Sequence, residues 1–185
     1  ISMNSVLQTY GGPGEGDMLI TCATIVQSFM LVITMPLGGI TGGTQTILAF
    51  NYGAGQPDRV KKAQRFIFFL SAGYTTILFI LAQTAGHIFV RLFTSDPALI
   101  AEAAKTIKIY TLAVIPLSIQ YVIVDGFTGL GKVQLSLPLS FFRKLVYFLP
   151  LFLLPRFFGA RATFYAEPIS DIIAPVVSIF IYAVA

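Results

Sequence analysis

Apolar residues run along this chain in five long stretches, each bounded by charged positions and interrupted by few. No Asp, Glu, Lys or Arg occurs between Asp17 and Asp58. That window far exceeds the roughly 20 residues one crossing helix needs, so it predicts a spanning helix followed by a re-entering or interfacial tail. Phe66 to Val90 is equally bare and is flanked by Arg65 and Arg91, which predicts a second span. A third run lies between Lys108 and Lys132, interrupted by Asp125, and a fourth between Lys132 and Arg156, interrupted by Arg143 and Lys144. The fifth, Ala162 to Ala185, carries Glu167 and Asp171 near its start. The expected fold is all-α: a polytopic membrane helical bundle of about five transmembrane helices. Pro36, Pro116, Pro138, Pro150 and Pro175 fall inside four of these runs and predict bent or broken helices, because each removes a backbone hydrogen bond.

Composition strengthens the membrane reading. Hydrophobic residues make up 56% of the chain and charged residues 11%, against roughly a quarter charged in a soluble domain. With a mean hydropathy of +0.82, 185 residues cannot enclose that apolar surface, and lipid must cover much of it. The single cysteine, Cys22, excludes a disulfide framework. The net charge of +4 is small and arises from clusters near segment ends, which suits membrane orientation and not nucleic-acid binding. Ile1 to Tyr10 carries no basic n-region and no initiator Met, so no cleavable signal is expected and the chain reads as a fragment.

The basic residues set an expected topology. Gln56 to Arg65 holds Arg59, Lys61, Lys62 and Arg65 against one acid, Asp58, whereas Gly11 to Asp17 holds two acids and no base. The loop at 56–65 is therefore expected on the cytoplasmic side and the Gly11–Asp17 segment outside. Alternation then places the turn around Lys132 inside, and Arg91–Lys108 and Leu154–Arg161 outside. A juxtamembrane basic cluster also suits contact with anionic headgroups.

Few motifs survive scrutiny as chemistry. Gly126 to Lys132 matches the GxxxxGK part of a phosphate-binding loop, but Val133 replaces the Mg-binding Ser/Thr and no strand–loop–helix context surrounds it. A glycine-rich exit from a membrane helix accounts for it. Asp125-Gly126 lacks the further aspartates that metal-dependent headgroup transfer requires, and His87, the sole histidine, cannot build a His metal site or a Ser/His relay. No enzyme active site is expected. Gly38, Gly39, Gly42 and Gly43 form two overlapping GxxxG patterns, for which close helix packing is the favoured explanation over a substrate-lining break. Thr41, Thr44, Gln45 and Thr46 beside them, and Gln120 in the third run, need protein or water partners at membrane depth.

Asp125 is the sharpest single residue, because an ionisable group inside a span marks a functional pathway by default. An ion pair with Arg143 across the following turn accounts for it equally well. Glu167 and Asp171 are four apart and share a helix face. Stabilisation by the positive end of the helix dipole explains them structurally; a cation-attracting vestibule is the functional rival.

With these residues placed, the chain resembles the C-terminal lobe of a multidrug and toxic compound extrusion (MATE) transporter of the bacterial multidrug-efflux branch. The resemblance is carried by Gly39 to Gln45, Phe50 to Ala54, Asp58 to Ala63, Phe93 to Pro97, Gly129 to Lys132, Arg143 and Ala166 to Asp171, in order. It implies half of a twelve-helix antiporter. Residues 1–15 would end a preceding transmembrane helix and form an outer loop, and residues 16–185 would form helices eight to twelve, the last truncated. Helix eight would hold Met18 to Phe50, nine Phe66 to Val90, ten Lys108 to Leu130, and eleven Val133 to Leu154. It further implies export of drug-like or amphipathic cationic solutes across the cytoplasmic membrane. The drive would be H⁺ or Na⁺ influx, with no other cofactor, and the partners would be a small organic substrate, the lipid bilayer and a missing N-terminal lobe. Asp125, Gln45, Thr41, Gln120, Arg143, Glu167 and Asp171 are the candidate pathway residues. One departure matters. Sodium-coupled relatives carry an acid on helix ten nearer Leu117 and Ser118, where this chain has none, so the resemblance assigns no ion site to Asp125. A lipid-linked saccharide flippase of related architecture, or a scaffold subunit without transport, are the alternatives.

Overall fold

The computed structural model describes residues 2–184, so Ile1 and Ala185, the ends of the two ranges given above, lie outside the described residues. Eight α-helices and one 3₁₀ turn follow one another, with no strand among the described residues. They are α1 (Ser2–Gly11), α2 (Glu15–Gly43), α3 (Gln45–Gly53), α4 (Pro57–Val90), α5 (Pro97–Tyr110), α6 (Val114–Gly129), α7 (Val133–Phe158), a 3₁₀ turn (Ala160–Tyr165) and α8 (Ala166–Val184). Among the described residues four segments are long and apolar enough to cross a bilayer, and five if the bent pair α5 and α6 counts as one span.

Local chemistry explains where the helices start and stop. Gly55 adopts φ +65°, a left-handed conformation open to glycine, and ends the α2–α3 run. Pro57 then opens α4, where its missing N–H costs nothing. Asp96 caps α5 by accepting a 2.9 Å hydrogen bond from the Ala98 amide, with Pro97 in the first turn.

Three expectations need correction. The tail of the first window does not re-enter: α2 and α3 form a nearly continuous run from Glu15 to Gly53, broken only at Thr44. The segment 56–65 is not a loop, because α4 begins at Pro57 and carries Arg59, Lys61, Lys62 and Arg65 in its opening turns. The third span does not start at Lys108. It starts at Pro97, runs through the charged α5, and turns by 48° across Thr111–Ala113 into α6. Pro116 sits just beyond that break, and its ring would collide with the carbonyl four residues earlier, at Leu112, in a straight helix.

The core forms where α2 is enclosed. Leu19, Cys22, Val26 and Ile33 are fully or almost fully buried against Ala82 and Val90 of α4, Ile107 of α5 and Leu117 of α6. A second cluster joins Ile123 and Phe127 of α6 to Leu139 of α7 and Val177 of α8. Outside these clusters, large apolar side chains such as Phe66, Phe69, Phe141, Leu145 and Phe157 stand exposed, as residues facing hydrocarbon must.

Glycine positions divide unexpectedly. A Cβ at Gly39, Gly42 or Gly43 would meet nothing within 4 Å, and one at Gly38 would meet only the Tyr121 ring at 3.9 Å. Among the described residues no helix makes the close contact on the GxxxG face that its spacing predicts. Close contacts lie elsewhere: a Cβ at Gly11 would stand 2.8 Å from the Gly16 backbone, and two more crowded glycines lie on α6. A Cβ at Gly129 would stand 3.0 Å from the backbone oxygen of Gln45, and one at Gly126 would overlap the Gln64 amide.

The segments expected on one side of the bilayer meet at one end of the bundle. Arg161 in the 3₁₀ turn lies 3.4 Å from Glu15 at the start of α2 and 3.2 Å from Glu102 on α5. The opposite end joins the opening of α4 to the end of α6 through Gln64 and Gly126.

Candidate functional site

Two polar constellations stand among the apolar helices. The first is assembled by the break at Thr44. Thr41 ends its turn of α2 and Gln45 opens α3, so these i, i+4 residues share a face that meets α6. The Thr41 hydroxyl donates to Asp125 Oδ2, and Gln45 Nε2 donates to Asp125 Oδ1 at 3.0 Å. Gly129, one turn further along α6, permits the approach of α3 that brings Gln45 within reach. Both carboxylate oxygens are thus satisfied by neutral donors, with no cation paired to them among the described residues.

The second constellation contradicts the expected Asp125–Arg143 ion pair. Arg143, on α7, donates from Nη2 to Glu167 Oε1 at 2.8 Å and from Nε to Asp171 Oδ1 at 2.9 Å. The Tyr110 hydroxyl adds a 3.3 Å bond to Glu167 Oε2. Axial level explains the choice of partners. Asp125 lies four residues from the end of α6, about 6 Å along the axis, whereas Arg143 lies ten residues into α7, about 15 Å. The guanidinium therefore reaches the start of α8 on the far half of the bundle. Glu167 stands in the first turn of α8, as the dipole account requires, while Asp171 lies a turn further in, and both acids also pair with Arg143.

This group is dry. The side chains of Arg143 and Glu167 are 15% and 16% exposed and that of Asp171 is 0% exposed. Two carboxylates face one guanidinium, and Asp171 Oδ2 is buried with no hydrogen-bond partner among the described residues. Charges at this depth persist only when paired, so the group is either a costly structural tie or part of a pathway.

A cleft of about 230 Å³ between α6 and α7 connects the two constellations. Asp125 and Arg143 both line it, together with Gln120, Tyr121, Ser140 and Lys144. Gln120 does more than line it: its amide donates to the Leu139 carbonyl at 3.4 Å, and its Oε1 accepts from the Ser178 hydroxyl, tying α6 to α7 and α8. All seven sequence-derived candidates therefore fall in this region, divided into an acid held by neutral donors, an ion-paired group and a strap. Sequence reasoning missed Tyr110 and Ser178. Each is one hydroxyl in an apolar run, and only tertiary packing reveals its partner. His87 lies apart, in the last turn of α4.

No group of three or more metal-ligating side chains occurs among the described residues.

Comparison with known proteins places this geometry. A family model described as MatE matches residues 8–153, more than half of the chain. A FAD transporter from Shewanella oneidensis is 25% identical over 151 residues, covering 81% of this chain and 33% of that protein. An inward-facing multidrug resistance MATE family transporter of the MOP superfamily superposes with a TM-score of 0.84 at 16% identity, over 99% of this chain and 42% of its own. The Vibrio cholerae MATE transporter VcmN, in its bent form, gives 0.80 at 17% identity, covering 90% and 38%. The MATE multidrug transporter DinF-BH gives 0.79 at 25% identity, covering 86% and 36%. The chain thus spans about two fifths of the length of these structures and a third of the FAD transporter.

Proposed function

The chain belongs to the MatE family, and from that premise we propose that it forms one lobe of a secondary active antiporter that exports drug-like or amphipathic cationic solutes, coupled to H⁺ or Na⁺ influx. The observation that carries this reading is Asp125, a carboxylate held by neutral donors and opening on a cleft inside helices otherwise built for lipid. Buried acids are costly in a bilayer and mark ion or substrate routes. A second lobe, supplied by the rest of the full-length protein, would form the opposite wall, and rocking of one lobe against the other would expose the cleft alternately to each side. The break at Thr44 and the bend at Thr111–Ala113 are the places where the helices can absorb such a change. We place the basic start of α4 on the cytoplasmic side of the plasma membrane.

Full-length protein in proteoliposomes, loaded with a fluorescent cation and given an imposed pH or sodium gradient, tests this directly. Flux that depends on one gradient is expected and names the coupling ion. Flux without gradient dependence, or none, overturns the antiporter.

A second reading draws on the FAD transporter relative and on Lys144, which lines the cleft beside Arg143. A cation there suits an anionic, nucleotide-bearing solute. Competition between the fluorescent cation and flavin nucleotides in the same vesicles separates the two.

A further inference from the structure

On the outer flank of the bundle, away from the polar cleft, α4, α6 and α8 enclose an elongated groove of about 660 Å³. That volume lies within the roughly 300–1,000 Å³ typical of small-molecule sites. Its walls are graded. Lys61 and Arg65, four apart on one face of α4, stand at one end with the Tyr182 ring. Phe69 of α4, Ile123 of α6 and Ile179 of α8 make the rest of it apolar. No acid lines the groove, and no ion pair to Lys61 or Arg65 occurs among the described residues.

Depth sets what such a groove meets. The 34 residues of α4 extend about 51 Å, well beyond the roughly 30 Å hydrocarbon core. The charge-free part of that helix begins at Phe66. Lys61 and Arg65 therefore stand at the headgroup level while Phe69 lies in the acyl region. A neutral headgroup would gain little from two unpaired cations, and a free anion would gain nothing from the apolar walls.

We propose that this groove binds an anionic phospholipid of the surrounding leaflet, its phosphate held by Lys61 and Arg65 and an acyl chain laid between α4, α6 and α8. The site is independent of the transport cleft: none of its residues belongs to either carboxylate constellation.

Native mass spectrometry of the full-length protein, released from micelles doped with phosphatidylglycerol or with phosphatidylcholine of matched chains, reads the site. Wild type should retain phosphatidylglycerol preferentially. K61Q/R65Q should weaken that binding about thirty-fold, from about 1 kcal/mol per basic residue at a membrane surface and a tenfold change per 1.4 kcal/mol. K61R/R65K, which keeps the charge, and K105Q/K108Q, which removes two exposed cations from α5 instead, should both bind as wild type does. I179W, which narrows the groove without touching its charge, should weaken retention of both lipids. Equal binding of the two lipids by wild type, full binding by K61Q/R65Q, or an equal loss in K105Q/K108Q overturns the proposal. Full binding by I179W also overturns it, because surface electrostatics alone would then suffice.

Discussion

Asp125 and Asp171 are both aspartates inside apolar helices, yet the molecule solves the two problems by different physics. Asp125 is half-buried, opens on the cleft and is held by a hydroxyl and an amide. Asp171 is wholly buried, shares Arg143 with Glu167 and leaves one oxygen without a partner. Neutral donors bond to an acid in either protonation state and leave its charge free to change. A guanidinium locked between two carboxylates opposes any change in its neighbours. The contrast suits the Arg143 group to holding and, under the proposed function, Asp125 to exchange, and each half of that proposal can be broken.

The largest effect is expected from Arg143→Leu, which leaves two buried carboxylates facing each other without a counter-charge. Removing one partner of a buried ionic group costs about 3–5 kcal/mol. The yield of folded protein and its thermal midpoint in lipid should fall sharply. The triple variant Arg143→Leu, Glu167→Gln, Asp171→Asn should recover much of the loss, because no unpaired charge remains. If Arg143→Leu melts with wild type, the group does not hold α7 to α8 and the comparison fails.

A smaller effect is expected from Gly129→Ala, which probes how the Asp125 group is positioned. The added methyl would press on the Gln45 backbone at 3.0 and 3.1 Å and on Leu48 Cβ at 3.3 Å. Backbone cannot swing aside, so α3 must shift, at a cost of about 1–3 kcal/mol. Gln45 would be drawn from Asp125 while Thr41, on α2, stays. Gly42→Ala, where nothing lies within 4 Å, should leave the thermal midpoint unmoved in the isolated lobe. Equal destabilisation by the two would show a close contact on the GxxxG face within the lobe, where the described residues make none.

These cases also mark how far the sequence could be read. The spans were legible because hydrocarbon forbids unpaired charge: Phe66–Val90 ends at the residue where α4 ends, and the Val133 start of α7 follows Lys132 directly. The bend before α6 was not legible, because Glu102, Lys105 and Lys108 mask the α5 half of that span as soluble-looking. The candidate residues were legible as polar atoms at membrane depth, but their pairing was not. Asp125 and Arg143 are near in sequence across one turn, while Glu167 and Asp171 lie beyond a whole helix. Height along the bundle axis decides the outcome, and no spacing rule carries it. The same holds for the glycines: GxxxG announces a face that can be approached, whereas Gly11, Gly126 and Gly129 are among those that are approached.

The smallest change in stability, with the largest consequence for flux, is expected from Asp125→Asn. The amide oxygen still accepts one hydrogen bond, from Thr41 or from Gln45, so about one net bond is lost and the penalty is about 1 kcal/mol. No buried partner is stranded, since Thr41 can return its hydroxyl to the Leu37 carbonyl 3.1 Å away. Removal of the charge leaves the scaffold in place, and gradient-dependent export by the full-length protein should cease while the thermal midpoint moves little. Matched losses of stability and yield in Asp125→Asn and Arg143→Leu, with export per folded molecule intact, would make both groups structural. Coupling would then belong to residues outside this chain, and the division between holding and exchange would vanish.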